Sequence, residues 1–222
     1  MEYLVVHAPA VPELTGQWEG PAWGAVAPLS IGLFHPQSSG HRPQVRAKLA
    51  YDAASLHVIF RVADRYVRSV HTRDQDPVCT DSCVELFVEP KPGAGYFNFE
   101  INAGGTVLLY HVRDARRTPQ GFADFSPVDS RWLRQLRIYH SLPAVVEPEL
   151  AGPVEWTLEC RIPLALFEAH VGPLGALPGQ TWRGNLFKCG DATSHPHWAS
   201  WAPIGAPLNF HQPDRFAPLV FA

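Results

Sequence analysis

Apolar and polar residues alternate with a period of two along much of the chain. Leu56, Val58, Phe60 and Val62 share one side of a segment whose other side carries His57, Ile59 and Arg61. Val84, Leu86 and Val88 alternate with Cys83, Glu85, Phe87 and Glu89. Phe97, Phe99 and Ile101 alternate with Tyr96, Asn98, Glu100 and Asn102. This pattern marks strands with one face on a core. Asn102-Ala103-Gly104-Gly105 is a turn signal, so a strand over Thr106–Arg113 is predicted to return as a hairpin. Further strands are predicted at Arg134–Tyr139, Val154–Ile162, Thr181–Lys188 and Ala217–Phe221. Pro163 suits the start of a short helix over Leu164–His170.

Ala8–Gln44 is rich in turn residues and reads as loop with short strands, and Pro143–Pro153 reads as loop. No internal repeat or dividing linker is visible. The fold class is therefore all-β, a β-sandwich or a barrel with one or two short helices. A single domain is expected over residues 1–222, with residues 1–44 an irregular N-terminal segment packed on it.

Composition sharpens this. The chain has 22 prolines in 222 residues, about twice ordinary usage. Proline cannot donate into a helix interior or a central ladder, which excludes a helical bundle, a coiled coil and a helix-rich barrel. Glu89-Pro90, Ile162-Pro163 and Ala202-Pro203 put prolines at strand ends and corners.

Charge removes partners. Lys and Arg number 18 against 21 Asp and Glu, a net −3. The densest basic stretch, Arg113–Arg117, is interrupted by Asp114 and Ala115, so no nucleic-acid partner is expected. No apolar run reaches the ~18 residues of a membrane helix, so no membrane partner is expected. Met1–His7 lacks a signal peptide's basic start and apolar stretch. The expected location is cytoplasmic, or secreted if a signal has been removed. Cys79, Cys83, Cys160 and Cys189 then favour free thiols. Oligomeric state is not legible.

The polar positions carry the candidate chemistry. Glu85, Asn98, Glu100 and Asn102 occupy the strand sides opposite the larger apolar set, as do Arg183 and Asn185 later on. Two readings fit. One is a solvated sheet face with cross-strand ion pairs. The other is a sugar-binding face, where carboxylates and amides bond adjacent hydroxyls and aromatic rings cover the C–H side of a pyranose.

The same stretches carry a resemblance. Asp81-Ser82-Cys83-Val84-Glu85-Leu86-Phe87, then Tyr96 to Thr106, resemble the signature of family 9-like carbohydrate-binding proteins, relatives of the module attached to some xylanases. Tyr51-Asp52 to Asp64, Trp156 to Pro163, Asn185 to Asp191, Pro196 to Pro203 and Phe210 to Phe216 resemble other segments in the right order, with Ala217 where glycine is usual. The match runs from about Val45 to Phe221. It implies an all-β fold, an antiparallel β-sandwich of two sheets, that binds carbohydrate of the xylan or cellulose type without cleaving it. In the attached modules a sugar end sits between two tryptophans above polar strand residues. Xylanase activity is then expected to belong to the catalytic domains such modules are joined to.

Carried over by residue, Glu85 and Asn102 match polar contact positions, and Glu100 stands where arginine is common. Trp201 is the candidate for one aromatic wall, with Trp198 second. The loop Asp76–Thr80 lacks the tryptophan of the other wall, which implies a one-sided platform or a wall lent by another loop, such as Trp18 or Trp23, and weaker hold on a sugar. Arg113 and Lys188 join the candidate set from strand direction. No cofactor is required. Calcium is implied because related modules bind it, with Asp64, Asp76 and Asp81 as candidate ligands beside Asp74; turn-capping aspartates are the other reading. No zinc-type Cys or His spacing appears. Two further functions stay open: a xylanase-like glycoside hydrolase using Glu85 and Glu100, and a protein-interaction sandwich whose sugar site has decayed.

Overall fold

The apolar positions of Ser55–Asp64 and Val154–Pro163 meet on one face. The two strands run antiparallel, with Phe60 opposite Leu158 and Val62 opposite Trp156. The computed structural model describes residues 1–222. In chain order its strands are β1 (Tyr3–His7), β2 (Leu29–Ile31), β3 (Leu33–Phe34), β4 (Gln44–Tyr51), β5 (Ser55–Asp64), β6 (Val67–Ser69), β7 (Cys83–Glu89) and β8 (Tyr96–Asn102). They continue as β9 (Val107–Thr118), β10 (Gly121–Pro127), β11 (Arg137–His140), β12 (Val146–Leu150), β13 (Val154–Pro163), β14 (Thr181–Cys189), β15 (Trp198–Ser200) and β16 (Ala217–Phe221). The helices are α1 (Ser130–Leu133) and α2 (Leu164–Val171).

The strands form a β-sandwich. The first sheet runs β10-β9-β8-β7-β14-β16-β1 and the second β1-β4-β5-β13-β11. β1 belongs to both. Its Tyr3–Val5 pairs parallel with Leu219–Phe221, and Val6 and His7 pair with Ala50 and Tyr51. The N-terminal residues expected to be irregular thus hand one sheet over to the other. The Tyr3 hydroxyl fixes this joint, donating to the Ala27 carbonyl at 2.7 Å and accepting from Leu49 N–H at 3.1 Å.

A core cluster of 41 buried residues fills the space between the sheets. It takes Val84, Leu86 and Val88 from one side and Val45, Ala47 and Leu49 from the other. At ~1.5–3 kcal/mol per fully buried large apolar side chain, this interface dominates stability. α2 closes one end with Leu166 and Phe167. It stops at Gly172, whose φ of 75° suits glycine. The predicted turn after Asn102 is present, and Gly104 is required there: a Cβ would lie 2.2 Å from the Ala144 carbonyl oxygen.

Several elements differ from expectation. Gln44–Tyr51 is a central strand of the second sheet. Pro143–Pro153 contains β12, which pairs with β6. The strand expected from Arg134 begins at Arg137, because Asp129 caps α1 just before it. The hairpin strand β9 runs on to Thr118 and returns as β10. No helix is long and apolar enough to cross a membrane.

The outer faces are not solvated. On the second sheet, Ile59 and Ala50 pack with Trp18, Ala22, Trp23 and Val26. On the first sheet, Phe87, Tyr96, Val112 and Phe187 pack with Phe122, Ile204 and Phe216.

Candidate functional site

Register brings the polar residues of the first sheet together. Glu85 lies opposite Glu100, and Asn98 lies opposite both Phe87 and Tyr110. On the other flank of β7, Phe187 faces Glu85 and Cys189 faces Cys83. All these side chains leave the sheet away from the core. A cavity of about 390 Å³ opens above Glu85, Asn98, Glu100, Leu108, Tyr110 and Cys189. Phe122, Trp198, Asp191, Arg117 and Cys79 form its sides, together with Leu208, Asn209, Phe210 and His211.

The floor is polar but held in place by few bonds. Asn98 Oδ1 accepts the Tyr110 N–H at 2.9 Å, which turns its amide nitrogen to Glu100 Oε1 at 2.7 Å. Glu85 Oε1 accepts the Cys189 thiol at 3.0 Å. Glu85 Oε2 is buried with no partner in the chain. Burial, followed by the negative charge of Glu100, pushes the Glu85 carboxyl well above its usual range. Burial likewise raises Glu100, to about 7. His211, which shares a 2.7 Å bond with the Tyr96 hydroxyl, is lowered by burial to about 3. Near neutrality the floor therefore offers mostly uncharged donors and acceptors, which suits an uncharged polyol.

The walls are aromatic. Trp198 is half-buried, and its indole N–H donates to Asp191 Oδ1 at 2.7 Å. Phe210 stacks on Phe187 with ring centroids 4.1 Å apart and planes within 11°. Asp191 itself is placed by its backbone N–H, which donates to the Cys79 carbonyl.

Of the residues named from sequence, Glu85, Asn98, Glu100 and Trp198 come together here, and Asn102, Arg113, Lys188 and Trp201 do not. Asn102 is locked beyond the cavity: its amide nitrogen donates to the His71 carbonyl and Asp81 Oδ2, and its oxygen accepts Thr106 N–H. Lys188 points to the core side, 2.7 Å from His197 Nε2 and 3.5 Å from Asp64 Oδ2. Arg113 pairs with Asp124 across the β9–β10 hairpin. Trp201 is 5% exposed in the core, edge-on to Tyr3. The expectation that Trp201, Glu85 and Asn102 converge on one concave surface is therefore not met. Trp18 and Trp23 lie on the outer face of the opposite sheet, so the further aromatic walls are Tyr110, Phe122 and Phe210.

The three aspartates proposed for calcium do not come together. Asp64 accepts from His41 and Arg65 N–H. Asp76 accepts Arg73 N–H. Asp81 Oδ2 accepts from Val70, His71 and Asn102. Asp81 Oδ1 is buried without a partner, but the three carboxylates do not bring their oxygens into one cluster, a poor match to a cation that needs several free oxygens at once.

Tyr110 and Leu108 were findable from the sequence, because the hairpin register puts them beside Asn98 and Glu100. Phe122, Asp191 and the Leu208–His211 segment reach the cavity only through tertiary packing.

Comparison with known proteins places this geometry. No curated protein matches the chain. A candidate carbohydrate-binding protein from Bacteroides uniformis superposes with a TM-score of 0.86 at 26% identity, covering 100% of this chain and 99% of its own. A family 9 carbohydrate-binding module from Caldicellulosiruptor kristjanssonii, solved in complex with cellotriose, gives a TM-score of 0.64 at 14% identity, covering 100% and 93%. Its complex with glucose gives 0.63 at 13%, covering 100% and 96%. The model of carbohydrate-binding family 9 matches residues 25–221. The chain belongs to carbohydrate-binding family 9.

Proposed function

We propose that this protein binds a carbohydrate in the cavity above β7, β8 and β9 without cleaving it. The observation that carries the site is the convergence of Glu85, Asn98 and Glu100 with four aromatic side chains around one cavity. Carboxyl and amide groups bond adjacent hydroxyls, and ring faces cover the apolar side of the sugar. Trp198 is the platform, because it is partly exposed and its indole is oriented by Asp191. The cavity volume of about 390 Å³ lies low in the ~300–1,000 Å³ range of ligand sites. That size favours a chain end or short oligosaccharide over a long run of polymer. The Caldicellulosiruptor module is seen with cellotriose and with glucose, so β-linked glucose oligosaccharides are the first ligands to try.

Calorimetric titration with cellotriose, xylotriose and glucose tests this reading. Saturable binding that weakens in Trp198→Ala and Glu100→Gln, with no new reducing ends, is the expected result. Absence of heat with every glycan on an array overturns it and favours the protein-interaction alternative.

Hydrolysis has one observation in its favour. Glu85 and Glu100 are direct cross-strand neighbours, where Cβ atoms lie ~4.5–5.5 Å apart, close to the ~5–5.5 Å carboxyl spacing of retaining glycosidases. Both, however, rise side by side from one floor, whereas cleavage needs carboxyls on two sides of the scissile bond. Reducing-end release that disappears in Glu85→Gln would establish hydrolysis instead.

A further inference from the structure

One end of the cavity floor carries, beside Glu85, two buried thiols that sugar binding does not need. Cys83 and Cys189 are register partners on β7 and β14. Glu85 follows Cys83 by two residues and so shares its face. The two sulfurs and a carboxylate oxygen of Glu85 all lie within 4.8 Å of one another, on three buried residues. Glu85 is 2% exposed, and its Oε2 has no partner. Cys83 contacts the Cys189 thiol and has one long contact of 3.6 Å to the Val84 carbonyl.

We propose that Cys83, Cys189 and Glu85 form a three-ligand site for a thiophilic divalent cation, with zinc the best fit, whose fourth position opens toward the cavity. The ligand chemistry selects the metal. Two thiolates disfavour calcium and magnesium, which take oxygen, and suit zinc. Zinc bonds of ~2.3 Å to sulfur and ~2.0–2.2 Å to oxygen, at tetrahedral angles, imply ligand separations of roughly 3.5–3.8 Å. The cluster needs only small side-chain adjustments to reach them. Its ligands stand on neighbouring, fully paired strands, which fixes their backbone positions before binding. Uptake releases to solvent one proton from each thiol and the proton of the Glu85 carboxyl, and the carboxylate so formed takes the metal at its open lone pair.

A cross-strand disulfide between Cys83 and Cys189 is the rival use of the two thiols. Glu85 argues against it. The Cys189 S–H is the one donor Glu85 Oε1 has, so a disulfide would leave the whole buried carboxyl group without a partner. A metal ion satisfies all three groups together.

The test is a cobalt titration of the reduced, chelator-stripped full chain, followed by zinc displacement against a chromophoric chelator. The expected result is a sulfur-to-cobalt charge-transfer band that saturates at one equivalent and is displaced by zinc. Cys83→Ser and Cys189→Ser should each weaken zinc at least ~100-fold, beyond the usual loss from an outer-shell partner. Cys160→Ser, whose thiol lies in the core between the sheets, should leave the band unchanged. Circular dichroism of each variant separates lost ligands from lost fold, and the titration of the unmutated chain stands without any variant. Absence of the band in the unmutated reduced chain overturns the proposal. So does its persistence in the Cys83→Ser, Cys189→Ser double variant, or a Cys83–Cys189 disulfide in the native protein. The proposal stands apart from the carbohydrate reading: lost sugar binding with an intact band defeats that reading alone, and the reverse defeats this one alone.

Discussion

The two outer faces of the sandwich bury charge in opposite ways. On the second sheet, Lys48 Nζ donates to the Trp18 and Trp23 carbonyls at 3.0 and 2.8 Å. Glu159 accepts the Trp23 indole N–H and the Gly16 N–H at 2.8 and 2.9 Å. The N-terminal segment supplies every partner, and these charges pin it to the sheet. On the first sheet, Glu85 and Glu100 lie under a cover that stops short, and Glu85 Oε2 has no partner. Groups satisfied by their own chain hold the fold. Groups left open beneath a cavity are available to something outside it.

The largest effect should come from the closed face. Glu159→Ala leaves the Trp23 indole and the Gly16 amide without their acceptor. With two charge-assisted bonds at ~1.5–3 kcal/mol each, the loss should be about 3–6 kcal/mol by urea denaturation. A loss under about 1 kcal/mol would show that the N-terminal cover is held by packing alone, and the contrast between the faces would lose its basis.

The two tryptophans of the late segment sharpen the contrast. Trp201→Ala opens the core and should cost about 3–5 kcal/mol, with the folded fraction still binding sugar. Trp198→Ala touches little of the core and should change stability by about 1 kcal/mol or less. Its sugar affinity should fall about tenfold, the scale of one lost ring contact. The opposite pattern would move the platform to Trp201.

Titration probes the open face without any ligand. Glu100 has a folded value of about 7, above the unfolded carboxyl at about 4.3. Its contribution is fully present below the unfolded value and is lost as pH rises through about 7. His211 has a folded value of about 3, below its unfolded value of about 6.5. Its contribution is present above about 6.5 and is lost toward pH 3. The two slopes oppose each other inside one cavity. Glu100→Gln should therefore lessen the fall in Tm between about pH 4.5 and 7, to which Glu85 also contributes, and leave the acid limb in place. An unchanged neutral limb would mean that Glu100 is ionised in the folded protein.

Strand parity explains how much of the site was legible. The alternation in Cys83–Glu89 and Tyr96–Asn102 located three floor residues, because one face of each strand is committed to the core and the other must then carry Glu85, Asn98 and Glu100. The same rule separates the residues that miss. On β14, Phe187 and Cys189 face the cavity side, so Lys188 between them faces the core. Trp198 and Trp201 are an odd number of residues apart and fall on opposite sides. Asn102 has the right parity, but the turn claims it through Asp81, His71 and Thr106. β1 and the Leu208–His211 wall were not legible, since their roles depend on which distant segment they meet.

Arg113 gives the smallest and cleanest check of parity. Leu108 and Tyr110 line the cavity on β9, so position 113 lies on the other face, and its guanidinium reaches Asp124 and Ser126 on the hairpin. The pair is 41% and 52% exposed at its two side chains, a setting where ion pairs contribute ~0–1 kcal/mol. Arg113→Ala should leave sugar affinity unchanged and stability within about 0.5 kcal/mol of the parent, by calorimetry and urea denaturation. A tenfold loss of affinity in that variant would put the bound sugar over the hairpin rather than over Glu85 and Glu100, and would overturn the division between the two faces.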